Sequence, residues 1–426
     1  METLTIEKPR DPQGPEELRD DGGYVFHHPP KALWDRGVQP PPQAWKRYSV
    51  YLHVPFCKKI CTFCTFERKR LRRDSLDGFV PRLWRELDTV VATDDLSEAA
   101  LHSVYLGGGT ASLLPNDAIA HFVDRMRREF GLREDTEVTL ESEPGTKTAE
   151  DLRIARDAGV NRVSIGIQAF QDPLLKSLNR SHDAAQAIAM AEAVHTAGIE
   201  NLHVDIMYGL PGQTMEMWRE TVQRCLDLGV KHLSAYQMIL FPDEVMARLI
   251  RSGEVPPQPH PDVIDEMRAH AVETFTRAGL PRYSLTEFAE PGFECRYVIT
   301  TWDGSDYLGF GPGAYSRSHR QLWENHTVHA AYHRDADNGR RPVGRSVEMT
   351  PRQTLERDLA MGLCMLGVEP EALARRAGIG LDSVAPVLRE LTDLGLVRAE
   401  GPLLRLTGPG VRYATEVMKR LTATQF

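Results

Sequence analysis

The sequence is short of several things, and each shortage excludes something. No apolar run approaches the roughly 20 residues that a helix needs to cross a bilayer, so no membrane span is expected. Positive charge is not in excess: 51 Lys and Arg face 60 Asp and Glu, a formal net charge of −9. A chain that lives on nucleic acid is usually basic, so no nucleic-acid partner is expected, although a local basic site remains open. The opening residues, METLTIEKPRDPQG, are polar and acidic and do not form a secretion signal. The expected compartment is therefore a reducing cytoplasm. Cysteine is scarce, with 6 in 426 residues. In a reducing compartment these serve as thiols or metal ligands and not as disulfides. Three of them, Cys57, Cys61 and Cys64, fall within one short loop, and no fourth follows.

What is present starts with that loop, CKKICTFCTFERKRLRR. Its C-x3-C-x2-C spacing can wrap three corners of a cubane 4Fe–4S cluster, one thiolate per iron, and leaves the fourth iron open. Structural zinc is the alternative. It wants four ligands, usually in two pairs, and no second pair follows. His53 could be a fourth zinc ligand, but it lies in the preceding strand pattern. Lys58, Lys59, Arg68, Lys69, Arg70, Arg72 and Arg73 crowd the loop with one acid, Glu67. They could hold a carboxylate-bearing substrate, attract an acidic reductase, or be a solvated face. Cys225 and Cys364 sit in apolar helical patterns and read as core thiols. Cys295 stays open, and the pair His27–His28 reads as a loop pair before a metal site.

Residues 1–45, rich in Pro, Gly and Asp, read as a tail or strap. From residue 49 a rhythm begins. Short apolar runs at 49–54, 103–108, 137–142, 162–168, 202–209 and 232–238 carry the buried-strand signature. Amphipathic segments separate them. Phe79, Leu83, Leu87 and Val90 fall on one helical face, and further helices are expected over Ala118–Phe130, Ala149–Ala158, Ala184–Ala197 and Met215–Leu228. Gly159 and Gly198 sit where helix C-caps want glycine. Six β-α repeats in series predict an α/β fold with a parallel sheet, open or curled into a barrel, and a site at the strands' C-terminal ends. The cysteine loop, Gly107–Thr110, Glu141–Gly145 and Gln168 all fall at such ends. A core over 46–245, an extension over 246–345 and a helical, winged-helix-like domain over 346–426 complete the organisation. The last reads as a packing or lid domain in preference to DNA binding, because DSVAPVLRELTDLG lacks a row of base-reading side chains.

The segment YLHVPFCKKICTFC, with YLGGGTAS, VTLESEPGT, GVNRVSIGIQAF, LNRSH, VDIMYGLPGQT and YLGFGPGAYS in that order, resembles the radical S-adenosylmethionine (radical SAM) superfamily. More narrowly it is similar to the branch that holds oxygen-independent coproporphyrinogen III oxidase (HemN), the HemW haem chaperone and the class C methyltransferases. The resemblance covers most of residues 49–316. It implies a partial (β/α)6 TIM-like barrel with a HemN-type C-terminal domain. It implies a 4Fe–4S cluster on Cys57, Cys61 and Cys64, with SAM chelated at the open iron and cleaved to a 5′-deoxyadenosyl radical. Matching SAM-contact positions are Phe63, Gly107, Gly108, Gly109, Thr110, Glu141, Gln168, Arg180 and Asp205. Ala111 stands where the branch usually has Pro. Tyr51, alternating with His53 along the first strand, matches a position near the active site. Gly311, Gly313 and Ala314 match a region associated with a second SAM. A flavodoxin- or ferredoxin-type electron donor is implied as a partner, because the cluster is reduced from outside.

Within the branch the residues after the third cysteine differ from both better-known relatives. The porphyrinogen oxidases have Gly-Cys there, and this chain has Thr65-Phe66. The haem chaperones usually have Asp there, then Asn and Ser in place of ERKR. This departure points to class C C-methylation or cyclopropanation of an sp2 carbon in a small-molecule or peptide substrate. Oxidative decarboxylation of coproporphyrinogen III and haem chaperoning are the alternatives.

Overall fold

In the computed structural model of the chain, residues 28–242 and 244–422 are described; residues 1–27, with His27 and most of the expected tail, lie outside them. The chain divides into two compact units, one of Asp35–Thr300 with Ser305–Ser346 and one built chiefly of Val347 onward.

The larger unit is built on parallel strands. We label them β1 (Arg47–Val54), β2 (Ala100–Gly108), β3 (Glu137–Ser142), β4 (Arg162–Gln168), β5 (Asn201–Tyr208) and β6 (His232–Gln237). Each pairs in parallel with the next. These are the six runs expected from sequence, lengthened by up to three residues at their starts. Their apolar residues are buried: Val50, Leu52, Val104, Leu106, Leu140, Ile165, Val204 and Leu233 are all inaccessible to solvent. Continuous apolar runs of this kind suit strands covered on both faces. The helices between them bury the face that the periodicity assigned, including Phe79, Leu83, Leu87 and Val90 of helix α1 (Ser75–Thr93). Capping boxes at Thr148 and Asp183 start two of them. Gly159 and Gly198, at φ 125° and 78°, follow the ends of those same two helices.

The register brings neighbouring strand ends close: Val54 lies opposite Gly108 and Tyr208 opposite Gln237, while β4 runs three residues past its Ser142–Ile165 pair. The loops that follow therefore emerge on the same side of the sheet, which is what gathers a site from distant segments.

The sheet continues beyond the six repeats. It takes in β7 (Glu287–Ala289), antiparallel to β6, at one side. At the other side β8 (Asp306–Phe310) pairs in parallel with β1, and β9 (Tyr315–Ser318), β10 (Gln321–Asn325) and β11 (Val343–Glu348) follow it. The result is an open twelve-stranded mixed sheet with parallel strands at its centre. The seventh parallel strand, β8, was not legible in the sequence. DYLGF is short, contains glycine, and pairs with a strand some 250 residues earlier.

The smaller unit contains helix Pro370–Ala377, helix Ala385–Asp393 and the hairpin Val397–Glu400 with Leu403–Leu406. Gly367–Val368 adds a third strand to that hairpin. Cys364 is buried in this unit, and Cys225 and Cys295 are buried in the larger one.

Glu86 is an acid on the apolar face of α1, only 2% exposed. It accepts hydrogen bonds from the Gly311 backbone N–H (2.9 Å), the Tyr332 hydroxyl (2.6 Å) and the Asn325 amide (2.6 Å). One carboxylate thus ties α1 to the glycine loop after β8, to β10 and to helix α2 (His329–Asp337). Burial pushes its carboxyl up to about 7, against the pull of those three donors. The folded state then holds the proton more tightly than the unfolded chain. The corresponding stability is complete below about 4.5 and is lost as pH rises through about 7. Between pH 5 and pH 8 the wild type should lose more stability than Glu86→Gln, by on the order of 1–3 kcal/mol. Urea midpoints at the two pH values measure this, and equal losses in both proteins would sink the assignment.

Candidate active site

The cysteine loop has little secondary structure of its own. Its base is a two-residue parallel ladder, Phe56–Cys57 against Lys69–Arg70. Between these the backbone is held from outside. The Thr62 N–H donates to the Leu178 carbonyl (3.2 Å), and the Asn179 side-chain amide donates to the Ile60 carbonyl (2.8 Å). The Met246 N–H donates to the Thr62 carbonyl (3.2 Å). Asn179 adopts φ 56°, a left-handed conformation that Asn tolerates better than most side chains. Phe63 packs against the apolar cluster that includes Leu178, Met238 and Met246, so it anchors the loop.

Cys57 is buried, and Cys61 and Cys64 are partly exposed; none is in a disulfide. Burial pushes the Cys57 thiol up to about 12 and raises that of Cys64 as well. As bare thiols they stay protonated at neutral pH, and metal binding has to displace the protons.

The turn after β2 runs beneath Cys57. A Cβ on Gly109 would lie 2.8 Å from the Phe56 carbonyl oxygen and 2.9 Å from the Cys57 sulfur. A Cβ on Gly107 would lie 2.6 Å from Glu141 Oε2. Only glycine permits this approach. Gly108 donates its N–H to Glu141 (3.1 Å), and the Thr110 hydroxyl donates to the Gly109 carbonyl (2.8 Å).

Glu141 is the last residue but one of β3, and Asp205 lies within β5. Burial raises the Glu141 carboxyl to about 8, and the Asp205 charge adds to the rise. Burial raises Asp205 to about 6. Gln168 ends β4 at φ 72°, beside a register shift, and accepts from the Tyr236 hydroxyl (2.8 Å). Arg180 reaches Cys61: one amino group donates to its sulfur (3.2 Å) and the other to the Gly166 carbonyl (2.6 Å). Its Nε has no partner, and neither does the buried Oε2 of Glu143, whose other oxygen takes the Ser181 hydroxyl.

Tyr51 donates to His53 Nδ1 (2.9 Å), while His53 Nε2–H donates to the Glu67 carbonyl (2.8 Å). That pair of bonds fixes the tautomer. Burial lowers His53 to about 4, so it stays neutral. The Tyr51 ring stacks on Tyr297 at 5.4 Å. Direct contacts thus join Cys57 to the Gly107–Thr110 turn and Glu141, and Cys61 to Arg180; Gln168 ends β4, and Asp205 lies within β5. Gly311, Gly313 and Ala314 follow β8, on the other side of β1. A Cβ at Gly311 would collide with the His53 carbonyl, and one at Gly313 would lie 3.0 Å from Glu67 Cβ.

Residues 51–225 match the family model described as the radical SAM superfamily. The haem chaperone HemW of Bacillus subtilis (strain 168) is 30% identical over 384 residues, covering 87% of this chain and 97% of that protein. This chain belongs to the radical SAM superfamily, in its HemN-like branch. HemW of Mycobacterium tuberculosis (strain ATCC 25618 / H37Rv) is 31% identical, covering 93% of this chain and 99% of that protein. The anaerobilin synthase of Escherichia coli O157:H7 is 28% identical, with coverages of 87% and 83%. Among solved structures, coproporphyrinogen III oxidase (HemN) from Escherichia coli superposes with a TM-score of 0.77 at 22% identity, over 92% of this chain and 96% of that one. As a radical SAM protein the chain takes a 4Fe–4S cluster and SAM, which together supply one-electron, radical-forming chemistry.

The residues present fit that pair of cofactors. Three thiols and no fourth suit a cluster with one open iron. The unpartnered Nε of Arg180 and the glycine turn suit a carboxylate and an amino group held close to the backbone. Glu143 and Glu86 were missed in the sequence. Glu143 stands two residues past Glu141 in the same motif, and Glu86 interrupts an apolar helical stripe; both were visible signals. Tyr297 was missed for want of any local signal.

Replacing Cys57, Cys61 or Cys64 singly with Ala should reduce reconstituted iron and acid-labile sulfide to background, while Cys225→Ala should keep both at the wild-type level. Iron and sulfide assays decide it. Full cluster content in any one of the three single variants would remove that residue from the ligand set.

Proposed function

We propose that this protein is a haem-handling radical SAM protein of the HemW type. The carrying observation is that likeness to two haem chaperones extends over 97% and 99% of their lengths, not over the barrel alone. The named relatives of both kinds, chaperone and anaerobilin synthase, favour tetrapyrrole handling over the C-methylation expected from Thr65-Phe66. The second reading is a tetrapyrrole-converting enzyme, favoured by the anaerobilin synthase match.

In this reading Cys57, Cys61 and Cys64 hold three irons. Arg180 clamps the SAM carboxylate through its free Nε while its Cys61 bond keeps the guanidinium beside the cluster. Glu141 and Asp205 receive the polar and cationic parts of SAM, and the Gly107–Gly109 backbone lets it approach. Gly311, Gly313 and Ala314 would border a second SAM. The exposed Arg72 and Arg73 are offered to an acidic electron donor of the flavodoxin or ferredoxin type.

The test is anaerobic reconstitution followed by three assays. Haem binding without a SAM-dependent tetrapyrrole product is expected. Carbon dioxide release from coproporphyrinogen III, or transfer of labelled SAM methyl to an added acceptor, would overturn the reading. Arg180→Ala should weaken SAM binding by roughly tenfold or more with cluster content unchanged. Because an ionised Glu141 attracts the cationic SAM, affinity should rise as pH passes through about 8, and Glu141→Gln should flatten that rise. Charge reversal of Arg72 and Arg73 should slow reduction by a flavodoxin and spare reduction by dithionite. Equal slowing by both reductants would reject docking there.

A further inference from the structure

Strands β4 to β7 bury a row of polar side chains that the site described above does not use. The register sets them side by side: Ser164 lies opposite His203, Asp205 opposite Ser234, and Ser234 opposite Glu287. His203 and Asp205 stand two apart on β5 and so face the same way. Ser164, His203, Ser234 and Glu287 are all buried, so they have to satisfy one another.

They do so along one line. Ser164 Oγ is 3.4 Å from Asp205 Oδ2 and 2.8 Å from His203 Nδ1. His203 Nε2 is 2.8 Å from Ser234 Oγ, which is 2.6 Å from Glu287 Oε2. His203, His232 and Glu287 bring three ligand atoms within 4.8 Å of one another, as a metal site would. Arg162 argues against a metal ion there. It donates to His232 Nδ1 (3.0 Å), so Nε2 of that neutral ring carries the proton and offers no lone pair.

The line is satisfied in two ways. Burial keeps His203 neutral, so one of its nitrogens donates and the other accepts. If Nε2 donates, Ser234 donates to Glu287, which is then a carboxylate. Ser164 in turn donates to Nδ1 and has nothing left for Asp205, which has to hold a proton itself. If Nδ1 donates, Ser164 donates to Asp205, now the carboxylate. Ser234 then donates to Nε2, and Glu287 has to hold the proton. Either way one acid is charged and the other is not. Burial lifts the Glu287 carboxyl to about 7, and the Asp205 charge adds to the rise. With Asp205 raised to about 6, the two are close enough in acidity to exchange a proton. Arg162 and Arg180 favour a charged Asp205, Arg162 also favours a charged Glu287, and Glu141 is the other acid beside Asp205. Tyr105, Tyr236, Tyr283 and Cys295 face these acids too, but burial keeps all four protonated.

We propose that Glu287 is a positioning residue for Asp205: the two acids share one proton through Ser164, His203 and Ser234, and a cation bound at Asp205 draws the negative charge to that end. Asp205 gives its proton to Ser164, Ser164 gives its own to His203 Nδ1, His203 Nε2 gives its own to Ser234, and Ser234 gives its own to Glu287. One proton leaves Asp205, one arrives at Glu287, and no electron is transferred. This rests on the reading that Asp205 receives a cationic part of SAM, and adds the residue that decides its charge.

The test reads the tautomer of His203 by nuclear magnetic resonance, in anaerobically reconstituted protein whose histidine rings carry nitrogen-15. The signal missing from His203→Gln identifies it. Glu287→Gln and Asp205→Asn keep the side-chain size, and each amide NH2 stands in for the protonated acid. His203 should be the Nδ1–H form in Glu287→Gln and the Nε2–H form in Asp205→Asn. Wild type saturated with SAM should match Glu287→Gln. SAM affinity should stay within about twofold of wild type in Glu287→Gln and fall by roughly tenfold in Asp205→Asn. The same tautomer in both amide variants overturns the shared proton and leaves the SAM reading of Asp205 standing. Opposite tautomers with unaltered SAM affinity in Asp205→Asn overturn that reading, and with it the role given to Glu287.

Discussion

A loop that offers three thiols to a cluster cannot also satisfy its own backbone. This constraint shapes the active-site half of the molecule. Residues 58–68 carry peptide groups that no helix or strand of their own will pair, and unpaired buried peptide groups are costly. Their partners come from elsewhere: the turn at Leu178–Asn179, the start of the helix at Met246, and the short ladder to Lys69–Arg70. The loop is therefore only as ordered as the three segments around it. Those segments stand where they do because the parallel strands send their following loops out on the same side of the sheet.

The same economy explains where charge is buried. Glu141, Asp205 and Glu86 all lose solvent, and all are lifted above the ordinary carboxylate range by that loss. Glu86 meets three donors and works as a bracket between a helix and the Gly311 turn. Glu141 meets one backbone donor in the site, which leaves it capacity for a cationic ligand. Arg180 is placed between these uses. Two of its nitrogens hold the fold and the sulfur of Cys61, and the third is unspent.

The basic segment and the cluster site share a short ladder. Lys69–Arg70 pairs with Phe56–Cys57, so a ligand that pulls on the basic strand pulls on the first cysteine. His53 lies on β1 between the two regions, bonded to Tyr51 inward and to the Glu67 carbonyl outward. Such a link would let occupancy of one region be felt in the other through two hydrogen bonds and a two-residue ladder. The basic charge in CKKICTFCTFERKRLRR, puzzling in the sequence, thereby has a physical setting.

The sequence by itself determined the repeats, the six strands and the cysteine loop. Each is written in local signals: apolar runs, helical stripes, capping glycines and a spacing of thiols. It also placed Glu141 and Gln168 at strand ends and Arg180 beyond one, whereas Asp205, expected at a strand end as well, lies three residues before the end of β5. Only the tertiary structure decided what these residues meet. That β8 joins β1, that Glu86 holds Gly311, that Arg180 reaches Cys61, and that Glu67 and Thr327 both approach Gly313 are all pairings between distant segments. Local periodicity carries no information about such pairings, because the partner is chosen by closure of the whole sheet and not by neighbours along the chain.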